Sequence, residues 1–171
     1  LAEMIVRHVP MVADFRLRID LLKQQIKEDQ AANLKPFLVV ASAGSTDVGV
    51  VDPIDDSANI CKQNDLWFHV DGAYGGAFLL ADVKNKNGLT VKELFKGIEQ
   101  ADSVTLDPHK GFFVPYGLGA ILVKDQHALY QSHHYTANYL QDAEGLNEPS
   151  PSDLSPELTK HFRGLRFWLP L

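Results

Sequence analysis

Leu66-Trp67-Phe68-His69-Val70-Asp71-Gly72-Ala73-Tyr74-Gly75-Gly76 decides the fold of this chain. Its first half is a short continuous apolar run, which predicts a buried strand. Asp71 stands at the carboxyl end of that strand, and Gly72, Gly75 and Gly76 let the backbone turn tightly beyond it. Working outward, residues 37–41 (Phe-Leu-Val-Val-Ala) predict an earlier strand buried on both faces, and residues 103–106 (Ser-Val-Thr-Leu) a later one. Residues 119–123 predict a fourth strand, whose closeness to the third suggests an antiparallel, hairpin-like return. Between the strands lie helical spacings. Val12, Phe15, Ile19, Leu22 and Ile26 predict an amphipathic helix within residues 12–33, stopped by Asn33 and Pro36. A second helix is expected from Pro53, with Asp52 as its cap and Ile54, Ala58, Ile60 and Cys61 turned inward. A helical patch covers residues 91–98. Strands alternating with helices define the α/β class with a mainly parallel sheet and helices on both faces.

Open α/β sheets take their ligands outside the carboxyl ends of the strands. Three segments fall at such ends: residues 44–46, residues 71–73, and Asp107-Pro108-His109-Lys110. The last places a lysine 39 residues after Asp71 in an apolar setting followed by Gly111-Phe112-Phe113-Val114. A lysine and a distant acid on one rim are what pyridoxal 5'-phosphate (PLP) chemistry needs. The amine forms a Schiff base with the aldehyde, and the acid keeps the pyridine nitrogen protonated so that the ring accepts electrons. The plainer readings are a solvated surface lysine and a turn or cap aspartate. Ala73 would permit close approach to a ring, or is simply small for a tight turn. His109 could contact phosphate or substrate carboxylate, relay a proton, or pack. Thr46 offers a hydroxyl at the rim. Asp107 suits the orientation of loop backbone, since an anion repels phosphate.

Composition excludes other classes. The 16 basic and 22 acidic residues leave a net charge of −6, which argues against a nucleic-acid or polybasic membrane surface. No apolar stretch approaches the roughly 20 residues of a membrane span. The single cysteine, Cys61, forms no internal disulfide and fits a reducing compartment such as the cytoplasm. No spaced Cys/His set predicts a metal, and no glycine-rich Walker pattern is present. Residues 131–156 are polar and rich in Ser, Asn, Asp and Pro, predicting a long mobile loop. Leu158, Phe162, Leu165 and Trp168 then recur at helical spacing. A start on Leu1 and an apolar end, Phe167-Trp168-Leu169-Pro170-Leu171, suggest part of a longer chain.

His69-Val70-Asp71-Gly72-Ala73-Tyr74-Gly75-Gly76, Ala101-Asp102-Ser103, Asp107-Pro108-His109-Lys110, Ala120-Ile121-Leu122-Val123-Lys124 and Phe162-Arg163-Gly164-Leu165-Arg166 resemble the group II PLP-dependent amino-acid decarboxylases. The resemblance covers essentially the whole chain and is nearest to the aromatic-L-amino-acid decarboxylase branch. It implies the C-terminal part of the fold-type I, PLP-binding large domain over residues 1–155, with a mobile loop at about 131–155, and over 156–171 the start of a helix leading to a small C-terminal domain. It implies that Lys110 forms the internal aldimine, Asp71 binds the pyridinium nitrogen, Ala73 lies against the ring, Thr46 lines the cofactor pocket and His109 sits at the cofactor's edge. Tyr139 falls where the family carries a loop tyrosine that protonates the α-carbon after carbon dioxide leaves, the loop closing over a neighbouring subunit's site in a homodimer. The implied reaction is decarboxylation of an L-amino acid, aromatic by the branch, and the isolated chain is expected to be inactive. A PLP-dependent lyase or oxidative deaminase on the same scaffold, or a catalytically silent interaction module, are the alternatives. Asp107 departs from the asparagine that contacts phosphate in many relatives, and Gly72 from the usual alanine. The family's ring-stacking histidine and phosphate loop would lie upstream of residue 1.

Overall fold

The structure, a computed structural model, describes residues 4–133 and 150–170. Its contacts divide the chain into two compact units, Leu1–Leu122 and Val123–Leu171. The first contains helix α1 (Ile19–Ala31), strand β1 (Leu38–Ser42), helix α2 (Ile54–Asn64), strand β2 (Trp67–Asp71), the short helix α3 (Val91–Leu94), strand β3 (Ser103–Leu106) and the single turn α4 (Pro108–Gly111). Strand β4 (Ala120–Val123) completes a four-stranded sheet in the order β1-β2-β3-β4. β1, β2 and β3 run parallel, with Val39 opposite Phe68, Ser42 opposite Asp71, and Asp71 opposite Thr105.

Parallel neighbours need a crossover, and α2 supplies the one between β1 and β2. Its inward residues are the expected ones: Ile54, Ala58, Ile60 and Cys61 are buried, joining Val39, Ala41, Phe68 and Val70 in one core. Burial pushes the Cys61 thiol up to about 12, with the charge of Asp102 adding to the effect, so this sulfur is an apolar filler and no nucleophile. α1 adds Leu22 and Ile26 to the same cluster.

β1 departs from expectation. Its side chains alternate, Val39 and Ala41 inward while Leu38 and Val40 are 44% and 53% exposed. The two-sided burial expected of this strand is therefore one-sided among the described residues, with α2 packed on the inward face. The helix expected from Val12 is also shorter. Val12 and Phe15 lie in a tight turn closed by the Val12 N–H donating to Arg16 O at 2.8 Å, with Phe15 at φ 66°. The Leu17 N–H donates to an Asp52 carboxylate oxygen at 2.7 Å, which holds the chain out of helical geometry until Ile19.

Asp52 does not cap α2. Its second carboxylate oxygen accepts the Ser42 N–H at 2.8 Å, so the side chain ties the entry of α1 to the end of β1. A carboxylate accepting two backbone N–H groups fixes that corner more firmly than a helix cap would.

The second unit holds α5 (Gln126–His133) and α6 (Gly164–Trp168). A 3-10 turn at Pro151–Leu154 is capped reciprocally by Ser150 and Asp153. Arg163 pairs with Glu157 at 2.7 Å. Helix α6 starts only at Gly164; Leu158 and Phe162 precede it and are exposed. No helix among the described residues is long and apolar enough to cross a membrane.

Candidate active site at the carboxyl rim of the sheet

The parallel strands end together, and their exits are laced by backbone hydrogen bonds. Ala43 N–H donates to Asp71 O at 2.8 Å, Gly72 N–H to Thr105 O at 3.0 Å, and Asp107 N–H to Ala73 O at 3.2 Å. Sheet pairing thus continues past the strands and fixes the three exit loops against one another. Gly75 makes the close approach possible: a Cβ there would stand 2.1 Å from Ala43 O and 2.7 Å from the Gly44 Cα. Gly75→Ala must push the two loops apart, so a loss of about 1–3 kcal/mol is expected in urea unfolding of the full-length protein. An unchanged midpoint would mean that these loops do not touch.

Asp71, the last residue of β2, is exposed rather than buried. Its Oδ1 accepts the Ala73 N–H at 3.0 Å, and no described residue hydrogen-bonds to Oδ2. Asp71 is thereby aimed by its own turn, with one oxygen free for a donor. Ala73 is half-buried beside it. Thr46 is exposed in the loop after β1.

Lys110 lies on α4, which Pro108 starts directly after β3. The amine is not in the apolar setting that its neighbours in sequence suggest. Lys110 Nζ meets Asp107 Oδ2 at 2.7 Å, both side chains being partly buried. The two are three residues apart, so the first turn of α4 brings them together. Asp107, expected to orient loop backbone, spends its carboxylate on the lysine and leaves the helix start without a side-chain cap. An (i, i+3) acid–lysine spacing was the signal for this pair. His109 turns away to the following loop: its Nδ1 meets the Leu118 backbone, and its ring stands edge-on to Tyr116 at 4.7 Å. Tyr139 lies outside the described residues.

Along the face of β2 that carries Asp71, a set of polar side chains runs back from the rim. The Trp67 indole N–H donates to Ser103 Oγ at 2.8 Å. His69 stands between two hydroxyls, with Nδ1 2.8 Å from Ser103 Oγ and Nε2 3.0 Å from Thr105 Oγ1. Burial lowers the His69 pKa and outweighs the opposing pull of Asp71, so the ring is held neutral. Sequence reading did not single out Trp67, Ser103 or Thr105.

This donor set fits PLP. A primary amine, a carboxylate with an unused oxygen, a small half-buried side chain and a free hydroxyl occupy neighbouring strand exits. No group of His, Cys, Asp and Glu suited to a metal ion occurs among the described residues.

Comparison with known proteins gives the same direction. The model described as "Pyridoxal-dependent decarboxylase conserved domain" matches residues 1–171. An aromatic-L-amino-acid decarboxylase of Bacillus atrophaeus is 36% identical over 156 residues, covering 90% of this chain and 31% of the relative. An L-2,4-diaminobutyrate decarboxylase of Acinetobacter baumannii is 34% identical over 165 residues, covering 95% of this chain and 31% of the relative. Among solved structures, Oryza sativa TDC with PLP and tryptamine superposes with a TM-score of 0.82 at 26% identity, over 96% of this chain and 33% of that one. The chain thus spans about a third of the length of the relatives it matches.

Proposed function

This chain belongs to the pyridoxal-dependent decarboxylase family, and from that premise we propose that its full-length protein removes the α-carboxylate of an L-amino acid, yielding the amine and carbon dioxide. PLP, when bound, supplies an electron-accepting ring that takes up the pair left on the α-carbon. Lys110 would hold the aldehyde end of the cofactor through Nζ, and Asp71 the ring nitrogen through its unused oxygen. Ala73 would lie under the ring, while Thr46 and His109 would bound the pocket. Asp107 Oδ2, 2.7 Å from Nζ, would hold the amine in place at the rim. Tyr139 would return a proton to the α-carbon, from the loop of a second subunit in a homodimer. The observation that carries the reading is the placement of Asp71 and Lys110 on adjacent exits of parallel strands, joined by the Gly72–Thr105 and Asp107–Ala73 hydrogen bonds.

We infer an aromatic substrate, supported by the 36% identity to an aromatic-L-amino-acid decarboxylase. We further read residues 1–155 as part of the cofactor-binding domain, residues 156–171 as the approach to a small domain, and the protein as cytoplasmic, consistent with a lone buried thiol. The 171-residue chain by itself is expected to be inactive. The test is borohydride reduction of the full-length protein with PLP, then peptide mapping. A pyridoxyl group on the peptide containing Lys110 is expected; an adduct only on another lysine, or none, overturns the assignment. Amine release from L-tryptophan, L-tyrosine and L-2,4-diaminobutyrate, measured side by side, decides the substrate class.

A further inference from the structure

Trp67, His69 and Asp71 alternate along β2 onto one face, and Ser103 and Thr105 of β3 share that face. The indole N–H can only donate, so Ser103 Oγ is an acceptor toward Trp67. Ser103 is buried, and its one hydroxyl hydrogen needs an acceptor. His69 Nδ1, at 2.8 Å, is that acceptor. The reverse arrangement, Nδ1–H donating to Ser103, would leave a buried hydroxyl hydrogen without a partner. His69 therefore carries its proton on Nε2 and donates it to Thr105 Oγ1 at 3.0 Å. Each bond fixes the direction of the next. The hydroxyl hydrogen of Thr105 is then left to point elsewhere, and the residue directly opposite Thr105 on this face is Asp71.

We propose that Trp67, Ser103, His69 and Thr105 form a one-way hydrogen-bond relay that leaves the Thr105 hydroxyl hydrogen facing Asp71, to be donated to the carboxylate from the side when the cofactor's ring nitrogen engages it, while the Ala73 N–H holds Oδ1. The proposal rests on the reading of Asp71 as the partner of the cofactor's ring nitrogen, and it makes these four positioning residues, not catalytic ones. Asp71 is exposed and otherwise fixed by a single turn hydrogen bond, so a second donor decides whether its free oxygen is aimed or swings. The neutral His69 suits the task, because an imidazolium would donate to Ser103 and reverse that link.

The experiment is a double-mutant cycle on PLP affinity in the full-length, cofactor-stripped protein. Thr105→Val, which removes the hydroxyl but keeps the shape, is expected to weaken PLP binding about tenfold, as for a lost hydrogen bond to a charged group. In an Asp71→Asn background the same change is expected to cost less than about twofold, because the anion that it serves is gone. Equal losses in both backgrounds would reveal a merely structural threonine and overturn the relay. If Asp71→Asn alone leaves PLP affinity unchanged, the assignment of Asp71 falls and the relay falls with it. Thr105→Ser keeps the hydroxyl and is expected to bind PLP like the unaltered protein; a tenfold loss there overturns the proposal as well. Independently of any change at position 105, nitrogen-15 spectra with His69 assigned by its loss in His69→Gln should show Nε2 protonated and Nδ1 bare at pH 7. A cationic ring or the opposite tautomer would refute the direction of the relay.

Discussion

Lys110→Ala in the full-length protein is expected to lower the decarboxylation rate by at least about three orders of magnitude, on the order of 4 kcal/mol in the barrier. The same change is expected to abolish the borohydride-fixed adduct. The physical reason is specific to the amine. Without Nζ there is no covalent hold on the cofactor, and Asp107 is left as a partly buried carboxylate whose 2.7 Å partner is gone. Lys110→Arg separates the two effects. A guanidinium keeps a positive charge beside Asp107 but retains its proton throughout the working range, so it cannot bond the aldehyde carbon. If the ion pair alone mattered, the arginine variant would keep most of the activity. If the nucleophile matters, both variants fail alike while the folded protein persists. An adduct that survives in Lys110→Ala, with its rate intact, would remove Lys110 from the site.

The largest effect on stability is expected at Phe68. Its side chain is 1% exposed at the middle of β2, within the cluster that includes Val39, Ile54, Ala58 and Cys61. Its backbone is held as well, the N–H donating to an Asp102 carboxylate oxygen at 2.7 Å. Phe68→Ala removes a ring from a close-packed site that rigid strands on either side cannot collapse to fill. A cost of about 3–5 kcal/mol follows, a large share of a total stability of about 5–15 kcal/mol. Urea unfolding followed by fluorescence should show the first transition displaced by more than about 1 M. Phe68→Leu, which keeps most of the volume, should recover more than half of the loss. A displacement below about 0.3 M for the alanine variant would mean that the core does not depend on this ring. His69, next along the strand, points to the opposite face, so the two positions separate core from site.

Much of the rim was legible in the sequence. Residues 66–70 and 103–106 announced strands by their apolar runs, and glycines with Asp71 and Asp107-Pro108 announced where those strands stop. The inward residues of α2 followed from their spacing. The one-sided burial of β1 did not, because a continuous apolar run reads the same whether one face or both are covered. Val12 and Phe15 kept a helical spacing, yet the Leu17 N–H was claimed by Asp52, 35 residues away.

The same limit applies at the site. Asp71, Ala73, Thr46 and Lys110 could be placed near strand ends because strand and turn preferences are local. The motif through Asp107-Pro108-His109-Lys110 pointed to the family for the same reason, since it is contiguous. What joins those residues is not contiguous. Asp52 bridges Leu17 and Ser42, and His69 reaches Ser103 and Thr105 across a parallel strand pair. Even the neighbouring Asp107 and Lys110 meet only because α4 turns there. The amino-acid sequence by itself determined which segments are strands and which residues end them; the register of β2 against β3 was decided only in the folded sheet. A parallel register is set by the packing of whole faces against the core, and a shift of one residue would turn His69 and Asp71 inward and Phe68 out.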